Sequence, residues 1–159
     1  MPFAPLKTLC LLICTGYLLT AHAQSSPPPE PLYATTSLYE AFGKQDGIRK
    51  LTDEFVQRIS TDPRVASTFK DSNLKRVREK IAEQLCQVTG GPCVYSGDSM
   101  KEVHRGLGIK MADFNAVVEI LQDVMDQQNI RFQDQNKLLA LLAPMHRDML
   151  QEPVAPAAR

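Results

Sequence analysis

The stretch Ser99-Met100-Lys101-Glu102-Val103-His104-Arg105-Gly106-Leu107-Gly108-Ile109 decides how the chain is read. Ser99 and Glu102 stand at capping-box spacing, where each side chain answers the other's backbone N–H and starts a helix. Gly106 and Gly108 end the helix almost at once. A one-turn helix carrying a histidine is therefore expected, set between two longer helical patterns. Upstream, Leu74, Val77, Ile81, Leu85 and Val88 recur at steps of 3-4-4-3, the cleanest amphipathic stripe in the chain. Ser72 or Asn73 caps its start. Gly90-Gly91-Pro92 stops it, glycine supplying left-handed angles and proline barring continuation. Downstream, Phe114, Val117, Val118, Leu121, Val124 and Met125 form a broad apolar face from about 111 to 127.

The remaining segments repeat the helical period. Ser37-Leu38-Tyr39-Glu40 has capping-box spacing and predicts a short helix closed by Gly43. Asp46 is expected to cap the next helix, in which Ile48, Leu51, Phe55 and Ile59 face one way with Val56 beside them. That helix ends near Asp62-Pro63, since a residue before proline avoids helical angles. Val65 and Phe69 fall in a connecting turn. From about 134 to 150, Leu138, Leu139, Leu141, Leu142, Met145 and Met149 form a last apolar face, which Pro144 kinks or interrupts. No alternating strand pattern and no internal repeat occur. The class is all-α, two helix pairs forming a sandwich.

The 159 residues suit one domain, here 37–151. Lys+Arg and Asp+Glu are both 18, and no basic stripe is present, which argues against a nucleic-acid partner. Residues 1–23 read as a secretory signal: Lys7, an apolar run over 8–20, and the small-x-small site Ala21-His22-Ala23 with cleavage after Ala23. The run is short for a membrane span, although an uncleaved anchor is the alternative. Export places the chain in the periplasm or outside the cell, without stable membrane association. Residues 24–36 are a Pro/Ser-rich linker and 152–159 a frayed tail. Processing leaves Cys86, Cys93, His104 and His146. Cys86 and Cys93 flank the Gly90-Gly91-Pro92 reversal and form either a disulfide or two thiols. Export favours the disulfide.

In this order, the motifs Leu38-Tyr39-Glu40, Phe42-Gly43, Asp62-Pro63-Arg64-Val65, Phe69, Thr89-Gly90-Gly91-Pro92, Tyr95-Ser96-Gly97, Met100-Lys101-Glu102-Val103-His104 and Gly106-Leu107-Gly108-Ile109 resemble the group I truncated haemoglobins. The resemblance runs from about Leu38 to Leu150. It implies a two-over-two helical globin around haem b, with His104 as the proximal iron ligand. It further implies haem contacts from Phe55, Phe69, Val77, Lys80, Ile81, Tyr95, Met100, Ile109 and Phe114. Val56, Val77, Ile81 and Gln84 fall in the distal pocket. The implied function is reversible binding of oxygen, nitric oxide or carbon monoxide, in oxygen transport or a similar role. The alternative is a haem redox enzyme (nitric oxide dioxygenase, nitrite reductase or peroxidase-like) served by a separate electron donor, because the chain holds no flavin or iron–sulfur segment.

The residues carry this chemistry in part by themselves. Imidazole is a good haem ligand once its second nitrogen has a hydrogen-bond partner. His146, beside Arg147 and Asp148, is expected to be solvated. Val56, Val77 and Ile81 replace the tyrosine and glutamine common in the family, so a bound gas meets an apolar wall. Gln84 is a possible donor there. Lys80 either ligates the iron or runs along the haem edge to a propionate. Ser72, Arg76, Tyr95 and Lys101 are further propionate partners. The absence of Cys-x-x-Cys-His points to non-covalent haem.

Overall fold

A computed structural model describes residues 37–150; the expected signal segment, linker and tail lie outside them. Helix α1 (Leu38–Ala41) leads into α2 (Lys44–Ile59), α3 (Ala66–Phe69) and α4 (Leu74–Val88). Then come α5 (Met100–Val103), α6 (Met111–Gln127) and α7 (Phe132–Leu142), a 3-10 turn (Ala143–Met145) and α8 (His146–Met149). The described residues contain no strand. The four long helices α2, α4, α6 and α7 make the two layers. Helix α2 packs on both α4 and α6, and α7 on α6 and α1.

Most ends form as their residues dictate. Ser37 and Glu40 close a capping box on α1, and Asn73, not Ser72, caps α4 by accepting from the Arg76 N–H at 3.1 Å. Asp46 does not cap α2. The chain already turns at Gly43, whose φ of +74° is left-handed, so the helix starts at Lys44 and Asp46 sits within its first turn. There its charge still favours the helix N-terminus. The turn holding Phe69 is itself a one-turn helix. It starts where the Asp62 carbonyl accepts from the N–H groups of Val65 and Ala66. Pro144 interrupts the last apolar face as expected, splitting it into α7, the 3-10 turn and α8.

The dry core is built on α2. Ile48, Leu51, Phe55, Val56 and Ile59 are buried against Ala116, Ile120, Leu121, Val124 and Met125 of α6, and against Leu138 of α7. The stripe on α4 behaves differently. Only Leu85 and the adjacent Cys86 are buried, while Leu74, Val77, Ile81 and Val88 stay half-exposed. The apolar face with the cleanest helical period therefore borders open space.

Cys86 and Cys93 are joined by a disulfide with their Cα atoms 5.7 Å apart. The reversal between them uses Gly90 at φ +85°. At Gly91, a Cβ would fall 2.5 Å from the Tyr39 ring and 2.7 Å from the Cys86 sulfur. Only glycine lets the backbone pass that close. The covalent tie thus holds the end of α4 to the loop that leads toward His104.

Candidate functional site

The space bordered by α4 is a cavity of about 580 Å³ with a largely apolar lining, a size typical of cofactor sites. Phe55 and Ile59 reach it from α2, Phe69 from α3, and Val77, Ile81 and Leu85 from α4. Phe114, Val117, Val118 and Leu121 come from α6, with Leu139 and Leu142 from α7. Met145 and Met149 close one end. Sequence reasoning placed ten residues against a cofactor. All ten line this cavity: Phe55, Phe69, Val77, Lys80, Ile81, Tyr95, Met100, His104, Ile109 and Phe114. So does Gln84.

Val56 does not. It is fully buried in the core, and the cavity side of that turn belongs to Phe55. Phe55 and Val56 point about 100° apart on α2, and here it is Phe55 that faces the opening. Lys101 is also absent from the lining and is exposed, on the outer side of α5.

His104 stands at the C-terminal end of α5, whose start is fixed by the reciprocal bonds between Ser99 and Glu102. Its Nδ1 lies 2.7 Å from the Met100 carbonyl oxygen. A carbonyl can only accept, so Nδ1 carries a proton and donates it to this bond. This is the arrangement by which metal-binding histidines are oriented. Left-handed turns at Gly106 (φ +80°) and Gly108 (φ +65°) then carry the chain past the cavity to Ile109. Helix α8 packs on α5.

His146 departs from expectation. It is half-buried, not solvated: its ring lies 5.8 Å from that of Phe114, and its Nδ1 is 2.8 Å from the Ala143 carbonyl. Proline at position 144 creates the 3-10 turn that supplies this acceptor.

The polar groups of the cavity cluster at its rim. Arg76 faces Asp98 at 4.0 Å, and the Tyr95 hydroxyl donates to the Asp98 carbonyl at 2.9 Å. Burial, with Asp98 nearby, holds that hydroxyl above the ordinary tyrosine value, so it remains a donor. Lys80 Nζ donates to both carboxylate oxygens of Glu83 at 2.9 Å and to Ser96 Oγ at 2.6 Å. The Lys80 bond, followed by those from Ser96, lowers Glu83 to about 2. Gln84 is committed elsewhere: its amide nitrogen lies 3.2 Å from the Met145 sulfur and 3.6 Å from that of Met100.

Sequence reasoning missed Glu83, Ser96 and Asp98. Lys80 and Glu83 do stand three residues apart, a pairing distance on a helix. Ser96 offers no such signal, because the loop brings it back over α4.

The composition of the cavity fits haem. It has flat aromatic and aliphatic walls, one oriented imidazole, and cations and hydroxyls confined to the rim. The described residues contain no cluster of His, Cys, Asp or Glu suited to a bare metal ion.

Comparison with known proteins follows the same line. The family model described as "Bacterial-like globin" matches residues 37–151. A group 1 truncated hemoglobin of Nostoc commune is 31% identical over 90 residues, spanning 57% of this chain and 76% of the relative. One from Mycolicibacterium paratuberculosis is 28% identical over 109 residues, spanning 69% and 80%. Among solved structures, the truncated hemoglobin of Tetrahymena pyriformis in its Fe(III) form superposes with a TM-score of 0.70 at 23% identity. That match covers 74% of this chain and all of the other. The described residues, helical without strands, therefore have the two-over-two fold.

Proposed function

The chain belongs to the bacterial-like globin family, among the group 1 truncated haemoglobins, and from that membership we propose that its cavity holds one non-covalent haem b and binds diatomic gases reversibly. His104 is the proximal ligand in this reading. The observation that carries it is the imidazole on the cavity wall, its Nδ1 held by the Met100 carbonyl. Haem iron, when bound, would supply the site at which a diatomic gas binds. The chain's own residues would do the rest: Phe69 would offer an aromatic contact to haem, and Ser72, Arg76 and Tyr95 would offer cations and hydroxyls to its propionates. Cys86 and Cys93 are tied to each other, which supports non-covalent haem. The same disulfide supports export of the chain, since disulfides persist in oxidising compartments.

Ligand preference follows from the wall formed by Val77 and Ile81. Neither donates a hydrogen bond, and Gln84 is engaged by two sulfurs. Oxygen profits most from a donor because its complex is the most polar, so this site favours carbon monoxide and nitric oxide over oxygen. Replacing Ile81 by glutamine supplies a donor. A net hydrogen bond of about 1 kcal/mol corresponds to roughly a fivefold gain in oxygen affinity. Equilibrium binding of oxygen and carbon monoxide to the ferrous protein tests this. Ile81→Gln is expected to raise oxygen affinity several-fold and carbon monoxide affinity much less. An equal rise for both gases, or none, contradicts the reading. A ferrous protein that binds neither gas removes the proposed function.

A further inference from the structure

We propose that Glu83 is a positioning residue that holds the Lys80 amine against the loop at the cavity rim and so keeps it away from the iron. The inference rests on the haem reading above and concerns whether a second protein nitrogen reaches the iron. Lys80 is the only lysine among the described residues lining the cavity. It stands one helical turn from Val77 and next to Ile81, both cavity residues. A lysine amine is a nitrogen ligand when its lone pair is available and it is free to swing inward. Here the amine is held at the rim. An ammonium has three N–H donors, and three acceptors surround it: Glu83 Oε1 and Oε2 at 2.9 Å each and Ser96 Oγ at 2.6 Å.

The arrangement is closed on itself. Ser96 donates its own hydroxyl and backbone N–H to Glu83 Oε2, at 2.9 and 3.0 Å. Glu83 therefore fixes the lysine and the loop segment that helps to fix it. Charge-assisted bonds of this kind are the strong class. The Lys80 and Glu83 side chains are only 21% and 31% exposed, so water competes incompletely. The Cys86–Cys93 tie restrains the same loop three residues before Ser96. Glu83 takes no place in the cavity lining, and its action on the site runs through Lys80.

The test uses the haem-loaded ferric protein, read by its optical spectrum at mildly alkaline pH. The wild type and Lys80→Leu are expected to share one spectrum. Glu83→Gln should gain low-spin bands of a second nitrogen ligand. Those bands should vanish in the double variant Glu83→Gln/Lys80→Leu and stay absent in Glu83→Asp, which keeps the carboxylate. A purely structural loss at Glu83 would not create bands that depend on Lys80. In the haem-free protein, hydrogen exchange at the Ser96 amide should quicken at least about tenfold in Glu83→Gln. A Glu83→Gln spectrum identical to the wild type overturns the proposal. So does a wild-type spectrum that Lys80→Leu changes, because Lys80 would then already be a ligand. Failure of the wild type to develop a Soret band is a separate outcome; it defeats the haem reading and this proposal with it.

Discussion

His104→Ala should leave the chain folded and deprive it of haem. The imidazole terminates a one-turn helix and is not part of the buried core. Removing it leaves the α2–α6 packing intact and the helical circular dichroism unchanged, within the small effect usual for residues outside a core. The effect on the cofactor is of another order. Disturbing the partners that merely orient a metal ligand typically costs 10- to 100-fold in metal affinity. Loss of the ligand itself is therefore expected to speed transfer of haem to an acceptor globin by at least about 100-fold. Added imidazole should restore the Soret band by filling the space vacated. His146→Ala is the matching control. It removes the ring contact with Phe114 but no proposed ligand, so the Soret maximum should stay in place. If His104→Ala retains haem as the wild type does, the proximal assignment is wrong.

The second large effect is on stability. Changing both Cys86 and Cys93 to alanine opens a covalent loop whose ends are seven positions apart. Chain-entropy estimates give about 2–3 kcal/mol for a loop of this length. For a domain of this size that is a fall of roughly 10 °C in the melting temperature. Alanine suits the test because Cys86 is fully buried and a serine hydroxyl would need a partner there. Treating the wild type with a dithiol should lower its melting temperature similarly and leave the double variant unaffected. Equal melting of oxidised and reduced wild type would show that the tie contributes nothing.

The fold was legible because its signals are local. Capping boxes at Ser37/Glu40 and Ser99/Glu102, the stop at Gly90-Gly91-Pro92 and the interruption at Pro144 all act within one turn of the chain. Periodicity then placed the four long helices. It could not say what each stripe faces. Val77 and Ile81 have the spacing of core residues, yet they line a cavity, because nothing in a 3-4 repeat distinguishes a protein neighbour from a cofactor. Val56 shows the converse. Correspondence with the family placed it in the pocket, but the roll of α2 gives that side to Phe55. His146 was misjudged from its charged neighbours, since the contact that buries it comes from Phe114 on another helix. The Lys80–Glu83 spacing was visible. Its closure by Ser96 depends on a loop path that only the folded chain reveals.

The central claim is that the cavity between α4, α5 and α6 is a haem site ligated through His104. Titrating the haem-free protein with haemin and following the Soret band tests it most directly. The band should grow linearly and break sharply at one haem per chain. The same titration of His104→Ala should give no such break. A wild-type titration without a break, or one that His104→Ala reproduces, would contradict the account.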